Sequence, residues 1–166
     1  MLVYRRSILL ALVTVGLPWL LPAAVQAQSF QRFVPFLIEL DGWKGGKPDG
    51  VSMQMPGNNM DTANRKYTRG NSSVEAQVIV GTAAQGALAI QQSGVKIDTG
   101  DQRLSTSSMD GFMVTQTYTV KDKSGAIMVA LANNAMFSLS FNGVADDEAL
   151  AIAKKFDWKG LQGTAK

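Results

Sequence analysis

Met53, Met55 and Met60 place three thioethers within the stretch MQMPGNNM of a 166-residue chain that contains neither cysteine nor histidine. Thioether sulfur is a soft donor that suits Cu(I). Met53 and Met55 are two residues apart and share one face of a strand. Met60 can fold back over Met55-Pro56-Gly57-Asn58, where proline and glycine occupy the second and third places that a type II turn asks of them. A methionine-based periplasmic Cu(I)-binding protein is therefore one reading. In the other, Met53 and Met55 are the inward side chains of a strand, with methionine as an adaptable packer. Packing is preferred here. Met109, Met113, Met128 and Met136 are scattered through the β-rich part of the chain, and copper sites often include the histidine that this chain lacks.

Arg65, Tyr67 and Arg69 form the second constellation, as candidate ligand or partner contacts. Alternation predicts a hairpin of Thr62–Arg69 and Ser72–Val80 around Gly70-Asn71, a pair that suits a two-residue II′ turn. That register sets Lys66 opposite Glu75 on a wet face, which is favourable for opposite charges. It sets Arg65 opposite Ala76, Tyr67 opposite Val74 and Ala63 opposite Val78 on an apolar face. A guanidinium there needs a partner or a route to water. Either Arg65 is held by an internal ion pair, or Arg65 and Arg69, flanking Tyr67, receive an anionic ligand or an acidic partner group in their planar forks.

Other chemistries fit poorly. Without histidine or cysteine there is no Ser-His-Asp machinery and no thiol nucleophile. Gly42–Lys47 lacks the first glycine and the hydroxyl residue of a phosphate loop. Ser93-Gly94-Val95-Lys96, Lys123-Ser124-Gly125 and Ser140-Phe141-Asn142 echo the motifs of penicillin-recognising serine enzymes, but in the wrong order, and Ser93 ends a helix rather than opening one. Asp146-Asp147 reads as a helix start, and Asp98 with Asp101 as turn acids. No catalytic residue is assigned and no cofactor is expected; an unrecognised hydrolase is the remaining enzyme alternative.

The elements that must position these residues begin after a leader. Met1–Ala27 has a basic start (Arg5, Arg6), an apolar run broken by Gly16 and Pro18, and a small-residue exit at Val25 and Ala27. This is the layout of a secretory signal peptide cleaved after Ala27. The expected location is the periplasm or outside the cell, with no membrane span in the mature chain. The whole chain has 16 Lys+Arg against 13 Asp+Glu; losing Arg5 and Arg6 leaves 14 against 13, a charge of +1. No basic stripe is left for nucleic acid. Residues 28–166 are expected to form a single globular α+β domain, monomeric, its stability resting on packing alone.

Ser29–Leu40 reads as an amphipathic lead-in that docks on the body. Val51–Met55 is a strand, and the hairpin follows. Ala83–Ser93 is a short helix stopped by Gly94. Val95–Asp98 and Gln102–Ser107 are short strands. Phe112–Val120, Ala126–Ala132 and Ala135–Asn142 form a meander, the last two joined by a tight Asn133-Asn134 turn. Asp146–Phe156 is a helix capped by Asp146, with Ala149, Ile152, Ala153 and Phe156 on its apolar face. The fold class predicted is α+β: an antiparallel sheet of about six to seven strands with two or three helices packed on it.

Trp43 after Gly42, the strand Ala63-Asn64-Arg65-Lys66-Tyr67, the central helix, and the helix Asp146–Trp158 after a meander resemble the Mog1p/PsbP-like group, which includes small exported bacterial proteins. The similarity spans about Phe36–Leu161. It implies an α-β-α sandwich and a docking or binding role, and it carries no catalytic residue onto this chain. The expected function is an exported, non-enzymatic domain that engages a partner protein or a small ligand.

Overall fold

Period-two alternation runs through most of the chain from Asp49 to Asn142, and the backbone follows it. The computed structural model describes residues 29–91 and 96–166. The signal peptide Met1–Ala27, its cleavage point, and the Ser93-Gly94-Val95 segment with its helix stop lie outside the described residues.

A 3-10 helix, Ser29–Phe36, comes first. Then follow β1 (Lys44–Gly45), β2 (Asp49–Met55), β3 (Asn58–Arg69), β4 (Ser72–Gly81), α1 (Thr82–Gln91), β5 (Ile97–Asp98), β6 (Gln102–Met109), β7 (Phe112–Thr119), β8 (Ser124–Ala132), β9 (Ala135–Asn142), α2 (Asp146–Ala153) and α3 (Trp158–Ala165). The strands form one nine-stranded sheet in the order β1-β3-β4-β9-β8-β7-β6-β5, with β2 also on β3. Every pairing described is antiparallel. The class expected is the class observed, but the nine strands among the described residues exceed six to seven. The strand that no sequence expectation covers is β1, a two-residue piece too short to carry a readable alternation; β5 falls within the strand expected at Val95–Asp98.

The β3–β4 register is the one alternation demands: Lys66 faces Glu75, Tyr67 faces Val74, Arg65 faces Ala76 and Ala63 faces Val78. Gly70 takes the positive φ (57°) required at the first turn position. The Asn133-Asn134 turn between β8 and β9 is as expected, though neither asparagine adopts positive φ; a register shift between Ala130 and Ala132 lets the connection close without it. Two expectations fail. Asp146 does not cap α2; Ala145 holds that place without a side-chain bond. The closing helix also ends at Ala153, and α3 is a separate helix whose cap Asp157 accepts the Gly160 N–H at 2.9 Å. Among the described residues four helical segments result, where two or three were expected.

Helices lie on both faces. The 3-10 helix, α2 and α3 cover the main core, where Phe33, Tyr67, Val78, Val114, Val129, Phe137, Leu139 and Leu161 are fully buried. The Phe137 and Phe156 rings meet at 4.9 Å, and Phe112 meets Trp158 edge-on at 5.9 Å, which docks the closing helices on the sheet. Among the described residues the opposite face carries α1 alone. Ala84 and Leu88 pack there on Met136, with Ile79, Met128 and Ala130 around them. Buried Gln91 pins the end of α1 by donating to the Met128 carbonyl at 3.0 Å. No helix among the described residues is long and apolar enough to cross a membrane.

Candidate functional site

Arg65, Tyr67 and Arg69 alternate along β3 and so share its core-facing side. Arg65 is 8% exposed, and each of its three nitrogens is engaged. Nε donates to the Gly46 carbonyl and Nη1 to the Leu37 carbonyl, both at 2.8 Å, and Nη2 donates to the Glu39 carboxylate. The guanidinium also lies 5.3 Å from the centre of the Tyr67 ring. Tyr67 has no exposed surface, and its hydroxyl donates to the Ile38 carbonyl at 2.7 Å. Burial pushes the Tyr67 phenol up to about 12, against an opposing pull from the Arg65 charge. The pair therefore fastens the segment Leu37–Glu39 and the loop at Gly46 onto β3. Arg69 lies apart from this knot, half-exposed, on Glu148 at 2.6 Å and over the Trp43 ring at 4.2 Å.

Asp146 meets Arg103 at 3.1 Å, and Arg103 lies over the Tyr118 ring at 5.1 Å. A cleft of about 90 Å³ is lined there by Ser105, Gln116, Phe141 and Asp146 among others. Sequence reading missed this meeting of β6 with the start of α2. The partners are more than forty residues apart, and nothing local signals it. Asp98 accepts the Gly100 N–H within its own turn. Among the described residues no three His, Cys, Asp or Glu side chains gather as a metal site would need.

The methionines are arranged differently from the preferred sequence reading. Strands β2 and β3 form an arm closed by Pro56-Gly57, with Gly57 at φ 78° as the type II turn requires. Met53 pairs directly with Met60, and Met55 with Asn58. Met53 and Met55 are not inward packers: they are 40% and 47% exposed, and Val51 beside them is 54% exposed. The cause is the other face of the arm. A Cβ on Gly50 would collide with the Phe30 ring and the Thr62 carbonyl. Ser52 accepts the Phe30 N–H at 3.0 Å. With Gly50 and Ser52 held against the 3-10 helix, alternation turns Val51, Met53 and Met55 outward, on an edge strand. By the same alternation Met60, Met113, Met128 and Met136 lie on that side of the sheet, which α1 covers only in part. The structure thus brings together Met53, Met55 and Met60 on one open face; Arg65 and Tyr67 meet in the interior instead.

Compared with known protein families, characterised proteins and solved structures, the chain has no significant match.

Proposed function

We propose that this chain is an exported, non-enzymatic binding domain of the Mog1p/PsbP-like kind, and that it works through the outward face of the β2–β3 arm. The observation that carries this reading is the row Val51, Met53, Met55, exposed side by side on an edge strand with Met60 across from Met53. Large apolar side chains exposed as a contiguous strip mark contact surfaces, and methionine is well suited to adaptable ones.

Each arginine among the described residues is already held in an ion pair within the fold. Arg65 is paired with Glu39, Arg69 with Glu148, Arg103 with Asp146, and Arg32 with Asp61. That pattern supports a scaffold whose ionic groups hold elements together rather than turn over a substrate.

The test is genetic. In a strain lacking the chain, the doubly substituted Met53→Glu, Met55→Glu protein should be exported and folded yet fail to restore what the wild type restores. A control bearing Lys154→Glu and Lys155→Glu, on exposed residues beyond α2, should restore it. Full complementation by the arm variant would refute the reading.

A further inference from the structure

We infer that Met53, Met55 and Met60 hold one soft monovalent cation, Cu(I), at the outward face of the arm. The inference rests on the reading of the arm as the working surface and names its ligand.

Direct cross-strand partners have Cβ atoms about 4.5–5.5 Å apart, and Met53 and Met60 are such partners. Met55 follows on the same face about 6.7 Å along the strand. Each thioether sits on a side chain with three rotatable bonds. From these three origins the sulfurs can meet at one point above the hairpin. The Pro56-Gly57 turn sets the register that aligns them, so the site does not have to be assembled from a disordered loop. Met53 and Met55 are open to approach, while Met60 is half-buried at the floor.

Charge decides which ion fits. The three donors are neutral, so nothing in the first layer offsets a second positive charge. Asp61 belongs to the opposite face, where it bonds Ser29 and Arg32. Asp49 shares the methionine face but lies four residues from Met53, about 13 Å down the strand. Divalent zinc, calcium and magnesium want nitrogen, thiolate or anionic oxygen. Soft thioethers select Cu(I), and Ag(I) is its redox-stable mimic. A thioether carries no competing proton. Binding here should therefore be flat with pH, unlike binding at histidine, cysteine or carboxylate.

The experiment uses the mature protein with ¹³C-labelled methionine methyl groups, titrated with Ag(I) and then with Cu(I) under a reductant and a competing chelator. The Met53, Met55 and Met60 methyls should shift together and saturate at a single ion per chain, while Met113, Met128 and Met136 stay in place. The affinity should be unchanged between about pH 5 and pH 7.5. The Met53→Leu, Met55→Leu, Met60→Leu protein keeps the apolar strip and should bind at least about tenfold more weakly, a change of roughly 1.4 kcal/mol. Met53→Leu alone, with the least disturbance to the fold, should already weaken binding. No saturable shift, undiminished binding by the folded triple variant, or an affinity that falls on acidification would overturn the inference. If the ion fails while the arm variant still fails to complement, the arm remains the working surface with another ligand. If the ion fails and the arm variant complements fully, the arm reading falls with it.

Discussion

Arg65 is the side chain whose removal should be felt most. It is nearly buried and donates to two carbonyls and a carboxylate contributed by the segment before β1 and the loop after it. Arg65→Ala leaves the Leu37 and Gly46 carbonyls without this donor and should cost on the order of 3 kcal/mol, read as a lower urea midpoint. Arg65→Lys should recover less than half of that loss, because one ammonium cannot reproduce the three-way fork. Wild-type stability in Arg65→Ala would show that the knot is dispensable. Tyr67 makes a second prediction, at alkaline pH. Its phenol is held up to about 12 by burial, whereas an unfolded tyrosine ionises near 10. Between those values the unfolded chain holds fewer protons than the folded one, so stability falls as pH rises. The contribution is complete below about pH 10 and lost as pH passes about 12. Denaturation at about pH 9 and pH 11.5 should show the wild type losing up to about 2 kcal/mol more than Tyr67→Phe, whose missing hydroxyl removes this titration. Equal losses would refute the assignment.

Among the elements, the arm depends on one tight approach. Gly50 faces the Phe30 ring and the Thr62 carbonyl with no room for a methyl group. Gly50→Ala should lever β2 from the 3-10 helix and cost about 1–3 kcal/mol, the usual range for overpacking. Gly57→Ala, at φ 78° with open space around it, should cost only about 1 kcal/mol. Thermal unfolding of the two variants gives the order, and a reversed order would contradict this picture of the arm. The elements also show what is legible from residues alone. The β3–β4 register is, because Gly70-Asn71 and the alternation of Ala63, Arg65 and Tyr67 agree. The Asp110-Gly111 turn, with φ 51° and 85°, is equally legible as an Asp-Gly pair between alternating strands. The break between α2 and α3 was hidden by Trp158 and Leu161, which keep an apolar face running past Phe156. The outward turn of Met53 and Met55 was hidden too. In Val-Ser-Met-Gln-Met the apolar residues look inward by hydrophobicity. Only the seating of Gly50 and Ser52 on the 3-10 helix, more than a dozen residues earlier in the chain, reverses that.

For the whole molecule, the unequal cover of the two sheet faces is the decisive feature. One side is sealed by the 3-10 helix, α2 and α3 over a continuous aromatic and aliphatic core. The other has α1 over a small cluster, with Met53, Met55 and Met113 exposed on that side among the described residues. Methionine plays both parts on that side. Met136 is buried beneath α1, while Met53 and Met55 project from the arm beyond it. The preferred sequence reading of methionine as filler is right for the first and wrong for the second. With a mature charge of only +1 expected, long-range attraction would contribute little to the proposed recognition, which would rest on contact chemistry at the arm. The most direct measurement of this claim is the oxidation rate of each methionine by dilute peroxide, read by mass spectrometry. It should be made on the purified apo protein and again on the protein in its own compartment. Met113 is 39% exposed, close to the 40% of Met53, and serves as the internal reference. In the purified protein, Met53, Met55 and Met113 should oxidise at comparable rates. In the compartment, Met53 and Met55 should be protected several-fold relative to Met113, whatever occupies the arm. Unchanged relative rates would mean that the arm stands empty where the protein works, and the account would fail.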